Sequence, residues 1–320
     1  MAKAKQNVST AATGPVMSNS ELMKRRIWRN KELYLLILPV IIYYIVFHYK
    51  PMYGLVIAFQ DYSPRRGITG SEWVGLQHFN DFFKGIYFGR LLRNTLEISI
   101  ATLLIGFPAP IILALLVNEL RSKAFSRITQ TITYMPHFVS MVVLCAMIRE
   151  FVKEGGLVNQ LMTSWFGYDG KNLLSRSAYF TPIYVITNIW QGVGWGSIVY
   201  LAALTGIDME LYEAARVDGA GRWKQTVHIT IPSIMPTIII MLIMRMGQIM
   251  GIGHEKIILL YNEGIYEKAD VISTYVYRMG IMNRQYSFSA AVGLFNSVVN
   301  FILVIGANQI SKKVSETSLW

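Results

Sequence analysis

The chain has 320 residues, of which 53% are hydrophobic and only 15% are charged. Soluble globular domains carry roughly 25% charged residues, so the composition indicates a membrane protein rather than a soluble domain. The net charge of +11 comes without a platform of basic and aromatic residues. We therefore attribute it to orientation in a membrane and not to nucleic-acid binding. The one cysteine, Cys145, lies inside an apolar run, which excludes a disulfide framework.

Six apolar runs are close to the roughly 20 residues that a helix needs to cross a ~30 Å hydrocarbon core. They predict an all-α membrane protein with six transmembrane helices, at residues 33–49, 94–120, 128–152, 181–204, 232–252 and 288–310. The first run follows the basic stretch KRRIWRNKE and lacks a small-residue cleavage site, so we expect an uncleaved anchor. Residues 1–23 are small, polar and unpatterned, and they are predicted to be a disordered cytoplasmic N-terminus.

The distribution of Lys and Arg predicts the orientation of these spans. Fifteen basic residues fall in residues 1–32, 121–127, 205–231 and the tail after 310, a total of about 76 residues. The segments on the other side hold thirteen in about 107 residues. Basic residues favour the cytoplasmic side of a bilayer. We therefore expect a multi-pass protein of the bacterial cytoplasmic membrane with both termini in the cytoplasm, residues 208–231 inside and residues 60–80 outside.

The segment between the fourth and fifth runs, LYEAARVDGAGRWKQTVHITIPSIMPTI, predicts a helical hairpin at the membrane surface. Asp208 is suited to cap its first helix, and Gly219 and Gly221 are expected to end it. A second helix is expected to start at Arg222, and Pro232 suits the first turn of the next span. An ordinary amphipathic loop, with Gly219 as a simple helix cap, explains the same pattern and remains open.

This segment resembles the EAA motif of ABC importer permeases, EAA-x3-G-x9-I-x-LP. The residues at the motif positions are Glu213, Ala214, Ala215, Gly219, Ile229, Ile231 and Pro232, with Ile231 in place of the usual Leu. The stretches PMYGLVIAFQDYSP, WVGLQHF, ADVISTYVYRMG, FSAAVGLFNSVVN and ETSLW are similar to permeases for polysaccharides and oligosaccharides, including alginate fragments. The similarity covers nearly everything after Lys24.

The resemblance implies the type I ABC importer permease fold for residues 24–320. In that fold the EAA segment, here residues 208–232, forms a cytoplasmic coupling helix that sits in a groove of an ATPase. The residues that we expect to contact the ATPase are Glu213, Ala214, Ala215, Asp218, Gly219 and Arg222. It further implies a related but non-identical second permease subunit, two cytoplasmic ATPase subunits and an extracytoplasmic solute-binding protein as partners.

The chain has no phosphate-binding G-x4-G-K-[ST] loop, so ATP and Mg are expected on the partner ATPase. Its five histidines are scattered without the spacing of metal ligands. We therefore predict a transport subunit that carries no cofactor, no metal and no catalytic residue.

Polar and aromatic residues inside the spans are candidates for the substrate path, because such groups are expensive in lipid unless they face a cavity or a partner helix. Span four contains Asn188, Trp190, Gln191 and Trp195 within NIWQGVGWGS. Indole rings can stack on sugars and amides can bond to hydroxyls. The alternative is that the glycines of this stretch mark close helix packing and the tryptophans fill space.

Two further spans carry polar residues with more than one interpretation. Asn296 and Asn300 lie one turn apart in span six and form either a sugar-binding edge or a helix contact. Arg245, in span five, can snorkel to the outer surface, pair with an acid such as Glu97 or Glu150, or line the path beside Gln248. The last interpretation favours an acidic saccharide.

From these observations we expect a permease subunit of an ATP-driven, binding-protein-dependent importer of oligosaccharide or polysaccharide, with an acidic substrate such as alginate oligomers as one possibility. A membrane-embedded enzyme that acts on lipid-linked sugar is the alternative. That enzyme would require buried acids or a metal site.

Overall fold

The structure is a computed structural model that describes residues 23, 28–315 and 318–319. The predicted disordered segment lies, up to residue 22, outside the described residues. Two compact units are present, Met1–Leu55 and Val56–Trp320. In the first unit, helix Lys31–Tyr44 continues through a π-helical turn at Ile45–Tyr49, and none of these residues is buried.

The described chain is almost entirely helical. We number the helices α1 Lys31–Phe59, α2 Gln77–Lys84, α3 Phe88–Asn118, α4 Lys123–Phe138, α5 Met141–Val152, α6 Leu157–Phe166, α7 Ser177–Thr205, α8 Met209–Val217, α9 Arg222–Met246, α10 His254–Leu260, α11 Ile272–Tyr277 and α12 Tyr286–Ser315. Short helical turns occupy Gly67–Gly70 and Tyr266–Ala269. Strands β1 Gln60–Asp61 and β2 Glu72–Trp73 pair antiparallel, with Gln60 opposite Trp73.

Four helices are long and apolar enough to cross a membrane, namely α1, α3, α9 and α12 without its last residues. Two helix pairs qualify only when taken together, α4 with the segment Met141–Phe166 and α7 with α8. The described residues thus provide four to six candidate spans, and the predicted all-α membrane class is confirmed.

The prediction of one continuous span at residues 128–152 is wrong. α4 and the following helical segment meet at an angle of 99°. Pro136 lies in the final 3-10 turn of α4, and Val139 and Ser140 then adopt extended backbone angles. Ser140 caps the new helix, because its Oγ accepts a hydrogen bond from the backbone N–H of Val143 at 3.4 Å.

The predicted limits of the fifth span, residues 232–252, are also wrong. The helix begins at Arg222 and runs through Pro232 without a break, so the second helix of the hairpin and the span are one element, α9. It ends at Met246, and residues 247–253 form a turn and an irregular segment. The apolar pattern continued past the helix end because Met250 is buried and Ile249 and Ile252 are half-buried against the hydrophobic clusters.

Three of the helix prolines follow widened turns, whereas Pro39, Pro182 and Pro236 lie in regular helix. π-helical turns at Ile45–Tyr49, Thr102–Gly106 and Thr226–Thr230 end two residues before Pro51, Pro108 and Pro232. A proline has no N–H and its ring clashes with the carbonyl four residues earlier. That carbonyl belongs to residue 47, 104 or 228, which lies in the widened turn in each case. The π turn thus relieves the clash and lets the helix continue.

The largest buried cluster joins α3, α5, α7 and α10. It includes Ile98, Leu144, Phe180 and Ile257, one from each helix, and each is at most 1% exposed. Because α10 takes part in this cluster, the segment after the fifth span folds back onto the helices and does not extend away from them.

A buried carboxylate anchors the segment that follows α10. The side chain of Asp270 is 0% exposed, and Arg278 donates hydrogen bonds to both of its oxygens, at 3.1 and 2.7 Å. The guanidinium of Arg90 lies 3.5 Å from the Oδ2 atom, and Thr274 donates to the same carboxylate at 2.8 Å. Paired and hydrogen-bonded in this way, the charge is compensated inside the protein.

Hydrogen bonds from α3 hold the backbone of the same segment. The Nδ2 atom of Asn94 donates to the carbonyl oxygens of Glu267 and Asp270, both at 2.9 Å. The backbone N–H of Ile272 donates to the Oγ1 atom of Thr95 at 3.0 Å. α3 therefore fixes the position of residues 267–278.

Replacement of Asp270 by Asn should destabilise the protein strongly, because Arg278 and Arg90 lose their shared counter-ion. Breaking a buried ion pair on one side costs about 3–5 kcal/mol. A fluorescence melting experiment in detergent should show a lower midpoint for Asp270→Asn. Asp169→Asn is the matched control, since Asp169 and Arg176 form an exposed pair and exposed pairs contribute little. Equal midpoints for the two variants would contradict the anchoring role.

Candidate translocation path and coupling hairpin

The first helix of the hairpin, α8, is capped at both ends. The Oδ1 atom of Asp208 accepts a hydrogen bond from the backbone N–H of Glu210 at 3.0 Å, which confirms the predicted cap. At the other end Gly219 has a φ of +77°, in the left-handed region that favours glycine. The N–H of Ala220 donates to the carbonyl of Ala215 at 2.8 Å, and that of Gly219 donates to Arg216 at 3.1 Å. This is a Schellman ending, so Gly219 serves as a helix cap.

Side chains tie the two arms of the hairpin to each other and to α3. The hydroxyls of Tyr212 and Thr230 are 2.9 Å apart, and Gln225 donates to the carbonyl of Ala220 at 2.7 Å. The guanidinium of Arg222 lies 3.4 Å from the carboxylate of Glu119, just after the end of α3. The hairpin is therefore a braced element rather than a free loop.

The hairpin presents charged and apolar groups outward. Glu213, Ala214 and Asp218 are exposed, and Ala215 is half-buried. Val217 is 89% exposed and Trp223 is 78% exposed. Within the described residues Glu213 forms no ion pair. This surface is available for a protein partner, and the coupling roles of these residues stay predictions.

Two cavities lie between α3, α7 and α9. The first has a volume of about 260 Å³ and the second of about 450 Å³. They share one wall, formed by Thr102, Met141, Asn188 and Arg245. Met241 of α9 lines the second cavity and Gln248, in the turn after α9, lines the first, so the second cavity is the one nearer to the hairpin.

Arg245 lies on the shared wall and is exposed to both cavities. The ion pairs considered for it are not formed, since Glu97 pairs with Lys268 at 2.7 Å and Glu150 pairs with Lys153 at 2.5 Å. Within residues 28–315 its guanidinium has no carboxylate partner. The acid-pairing interpretation is thus wrong for Glu97 and Glu150, while snorkelling and a role in the substrate path stay predictions for this cavity-lining arginine.

The amide residues predicted for the path divide between the two cavities. Asn188 lines both, Gln191 lines the second and Gln248 lines the first. Together with Arg245 they form a polar set contributed by α7, α9 and the turn after α9. The structure therefore brings together four of the eight predicted path residues.

The two tryptophans lie elsewhere. Trp190 and Trp195 are 46% and 47% exposed and do not line either cavity. Trp195 stacks on His137 with ring centroids 4.5 Å apart. A side chain at Gly194 would collide with the backbone carbonyl of Thr133, so this glycine marks a close helix contact as the packing alternative expects. A path role for the tryptophans stays a prediction.

Asn296 and Asn300 also lie outside the two cavity walls. The Oδ1 atom of Asn300 accepts a hydrogen bond from the backbone N–H of Met250 at 2.9 Å, which fastens the turn after α9 to α12. This hydrogen bond agrees with the interpretation of Asn300 as a contact between helices. The buried Oδ1 atom of Asn296 has no hydrogen-bond partner within the described residues.

Sequence reasoning missed Lys256, which lines the first cavity. Its side chain is 3% exposed, and its Nζ atom lies 3.4 Å from the Oδ1 of Asn188 and 5.2 Å from the ring centroid of Tyr184. Within the described residues it has no carboxylate partner, and burial lowers its pKa from 10.5 to about 8. The only sequence signal is the charged pair Glu255–Lys256 after an apolar run, which is typical of a solvated loop.

Thr102 was missed as well. It lies on the shared wall at the start of the π turn Thr102–Gly106, and its buried Oγ1 atom has no partner within the described residues. Burying an unpaired hydroxyl is costly, and this one belongs to a residue of the wall that both cavities share. The sequence signal was the proline at 108, two residues after the wider turn.

Lys256 should make stability depend on pH. Its pKa is lower in the folded than in the unfolded chain, so folding releases protons and stability rises with pH between about 8 and 10.5. The gain is at most roughly 3 kcal/mol, at 1.36 kcal/mol per pKa unit. Melting in detergent at pH 7.5 and 9.5 should show that Lys256→Met is more stable than the unaltered chain at the lower pH and loses this advantage at the higher. A difference that does not change with pH would contradict a buried, charged Lys256.

Comparison with known proteins identifies the family. Residues 106–316 match the family of the binding-protein-dependent transport system inner membrane component. Protein LplB of Bacillus subtilis (strain 168) is 47% identical over 293 residues, which cover 91% of this chain and 92% of the relative. The polygalacturonan/rhamnogalacturonan transport system permease protein YteP of the same strain is 44% identical over 313 residues, 97% of each chain.

Solved structures agree with this assignment. A chain of a bacterial ABC transporter involved in the import of the acidic polysaccharide alginate superposes with a TM-score of 0.84 and 43% identity, over 92% of this chain and 99% of that chain. The bacterial alginate transporter in complex with an alginate pentasaccharide-bound periplasmic protein gives the same values. The predicted resemblance is confirmed: the chain has the type I ABC permease fold and belongs to the family of inner membrane components of binding-protein-dependent transport systems.

Proposed function

We propose that this chain is the permease subunit of an ATP-driven importer and that its substrate is an acidic oligosaccharide. The observation that carries the proposal is the position of Arg245 on the wall shared by two cavities, without a carboxylate partner within the described residues. A guanidinium binds a carboxylate bidentately, so an unpaired one in a cavity fits an anionic ligand.

The other groups around the cavities suit a uronic-acid oligomer. Lys256 supplies a second cation in the first cavity, and the amides of Asn188 and Gln191 can bond to sugar hydroxyls. The names of two similar proteins support the same class, since one transports polygalacturonan or rhamnogalacturonan and the other imports alginate.

The hairpin is proposed to couple transport to ATP hydrolysis. In this arrangement ATP and Mg bind to two separate cytoplasmic ATPase subunits, and Glu213 faces a basic residue of one of them. α9 runs without interruption from Arg222 at the hairpin to Met246 beside Arg245, a length of about 37 Å at 1.5 Å per residue. A displacement of the hairpin is thereby transmitted to the cavity wall, which supports alternating access driven from the cytoplasm.

The remaining partners follow from the same proposal. A related, non-identical permease would complete the translocation path, and a solute-binding protein would deliver the saccharide from outside. The similar alginate transporter has been solved together with its saccharide-bound periplasmic protein, which supports the second partner. No observation favours the alternative of an enzyme that acts on lipid-linked sugar.

Arg245→Gln should reduce uptake of oligogalacturonate or alginate oligomers about 10- to 100-fold at subsaturating concentration. A hydrogen bond to a charged group contributes about 1.5–3 kcal/mol. Basal ATPase activity and assembly of the purified transporter should not change. Arg149→Gln is the control, because Arg149 is exposed and does not line either cavity. Undiminished uptake by Arg245→Gln would refute the role of this residue.

Glu213→Lys should abolish substrate-stimulated ATPase activity and uptake, because the reversed charge repels a basic residue of the ATPase. The cost is about 3–5 kcal/mol if the pair is buried in the complex. Glu154→Lys is the charge-matched control on an exposed loop far from α8 in sequence. Both readouts are measured in proteoliposomes that contain the assembled transporter. Wild-type coupling in Glu213→Lys would show that the hairpin is not the coupling element.

The proposed orientation places both termini and the hairpin in the cytoplasm. In a Cys145→Ser background, single cysteines at the exposed positions Thr69 and Lys224 should react with impermeant thiol reagents from opposite faces. Thr69→Cys should be labelled in intact cells, and Lys224→Cys only in inverted vesicles. Labelling of both in intact cells would disprove this topology.

A further inference from the structure

A third crevice, separate from the two cavities, lies near the hairpin. Its volume is about 570 Å³, and it is bordered by the end of α3, the first three turns of α4 and the last two turns of α7. On α7 it is lined by Ile198, Leu201, Ala202 and Thr205. At 100° per residue these lie on the face opposite to that of Gly192, Gly196 and Tyr200, which line the second cavity. The crevice is therefore not part of the same path.

The cations of the crevice come from α4. Lys123 and Arg127 are one turn apart, so both point to the same side of the helix. Within the described residues neither side chain forms an ion pair or a hydrogen bond. The neighbouring polar groups are already paired, since Gln130 donates to Ser126 at 3.0 Å and accepts from Tyr134 at 3.2 Å. Two unpaired positive charges thus dominate the polar wall.

The lining from α3 and α7 is mostly apolar. Val117 and Leu120 come from the end of α3 and Ile198, Leu201 and Ala202 from α7, with Asn118 and Thr205 as the polar members. The crevice therefore combines a cationic wall with a wall that suits hydrocarbon. A free phosphate or nucleotide would use only the first of these, whereas a phospholipid would use both.

The position of the crevice matches the border between a bilayer and water. α4 begins at Lys123, directly after the loop that contains Glu119, and Glu119 pairs with Arg222 of the hairpin. The far face of α4 is apolar and open, with Phe125, Ile128 and Ile132 each more than half exposed. A helix that is apolar on its outer face and basic along an inner crevice lies with its first turn at the level of lipid headgroups.

We propose that this crevice binds one anionic phospholipid, whose phosphate lies between Lys123 and Arg127 and whose acyl chains run along the apolar wall. Basic pockets between membrane helices on the cytoplasmic side bind anionic headgroups in this way. α4 and α7 are in close contact at Thr133 and Gly194 and diverge toward the hairpin. The lipid fills the space where they diverge, beside the element that faces the ATPase.

The test compares lipids that differ only in headgroup. The full-length chain is delipidated in detergent and titrated with phosphatidylglycerol or phosphatidylcholine of identical acyl chains, and bound lipids are counted by native mass spectrometry. One phosphatidylglycerol should bind in preference. Lys123→Gln with Arg127→Gln should weaken it about 30-fold, at about 1 kcal/mol for each basic residue. Lys123→Arg with Arg127→Lys should keep the preference, because both charges remain.

A charge-matched control separates a site from general surface attraction. Arg121→Gln with Lys313→Gln removes two exposed cations that do not line the crevice, and it should leave the preference within about twofold. An equal loss in both double variants would overturn the proposal in favour of surface charge. So would displacement of the lipid by sn-glycerol 3-phosphate at equal concentration, since the site would then recognise a free phosphate ester. No preference for phosphatidylglycerol in the unaltered chain would also reject it and leave the crevice to a protein partner.

Discussion

The carboxylate of Asp270 is the constraint on which the arrangement around the cavities depends. Burying this charge without a counter-ion would be prohibitively costly, so Arg278 and Arg90 must both approach it. Their approach, with the hydrogen bonds from α3, fixes the chain between the fifth and sixth spans against the helices. Held in this way, the chain carries α10 and therefore Lys256 to the wall of the first cavity. The buried carboxylate of Asp270 thus helps to position Lys256, the cation that we propose contacts the substrate.

The cavities and the hairpin form one mechanical unit because α9 belongs to both. The helix begins at the capped turn that contains Gly219 and ends beside the wall on which Arg245 lies. The pair of Arg222 and Glu119 is an exposed contact between the hairpin and α3, and exposed pairs contribute little. The continuous helix α9 is therefore the connection that leads from the hairpin to the shared wall.

The sequence predicted what depends on local pattern, and it failed where tertiary contacts decide. Apolar length located the spans, and the fixed spacing of the EAA motif located the hairpin, because both are properties of neighbouring residues. The bend at 139–140 was missed because its apolar residues continue through the break. Lys256 was missed for a different reason: a lysine after a span is usually solvated, and only the folding back of α10 buries it. Trp190 and Trp195 were chosen for residue type and position near the middle of a span, and neither tells which face of a helix meets a cavity, so their path role stays a prediction.

The widened turns before Pro51, Pro108 and Pro232 have a consequence for how this chain can vary. A π turn is a helical turn that holds one additional residue. The bulge takes up this residue, so the buried face of the helix before the turn and that of the helix after it stay aligned. Loss of the proline together with one residue of the turn would restore a regular α-helix and leave the buried faces intact. Distant descendants of the same ancestor should therefore differ by single-residue gaps at these turns. An insertion elsewhere in a span would rotate every later side chain by about 100° and displace the buried face.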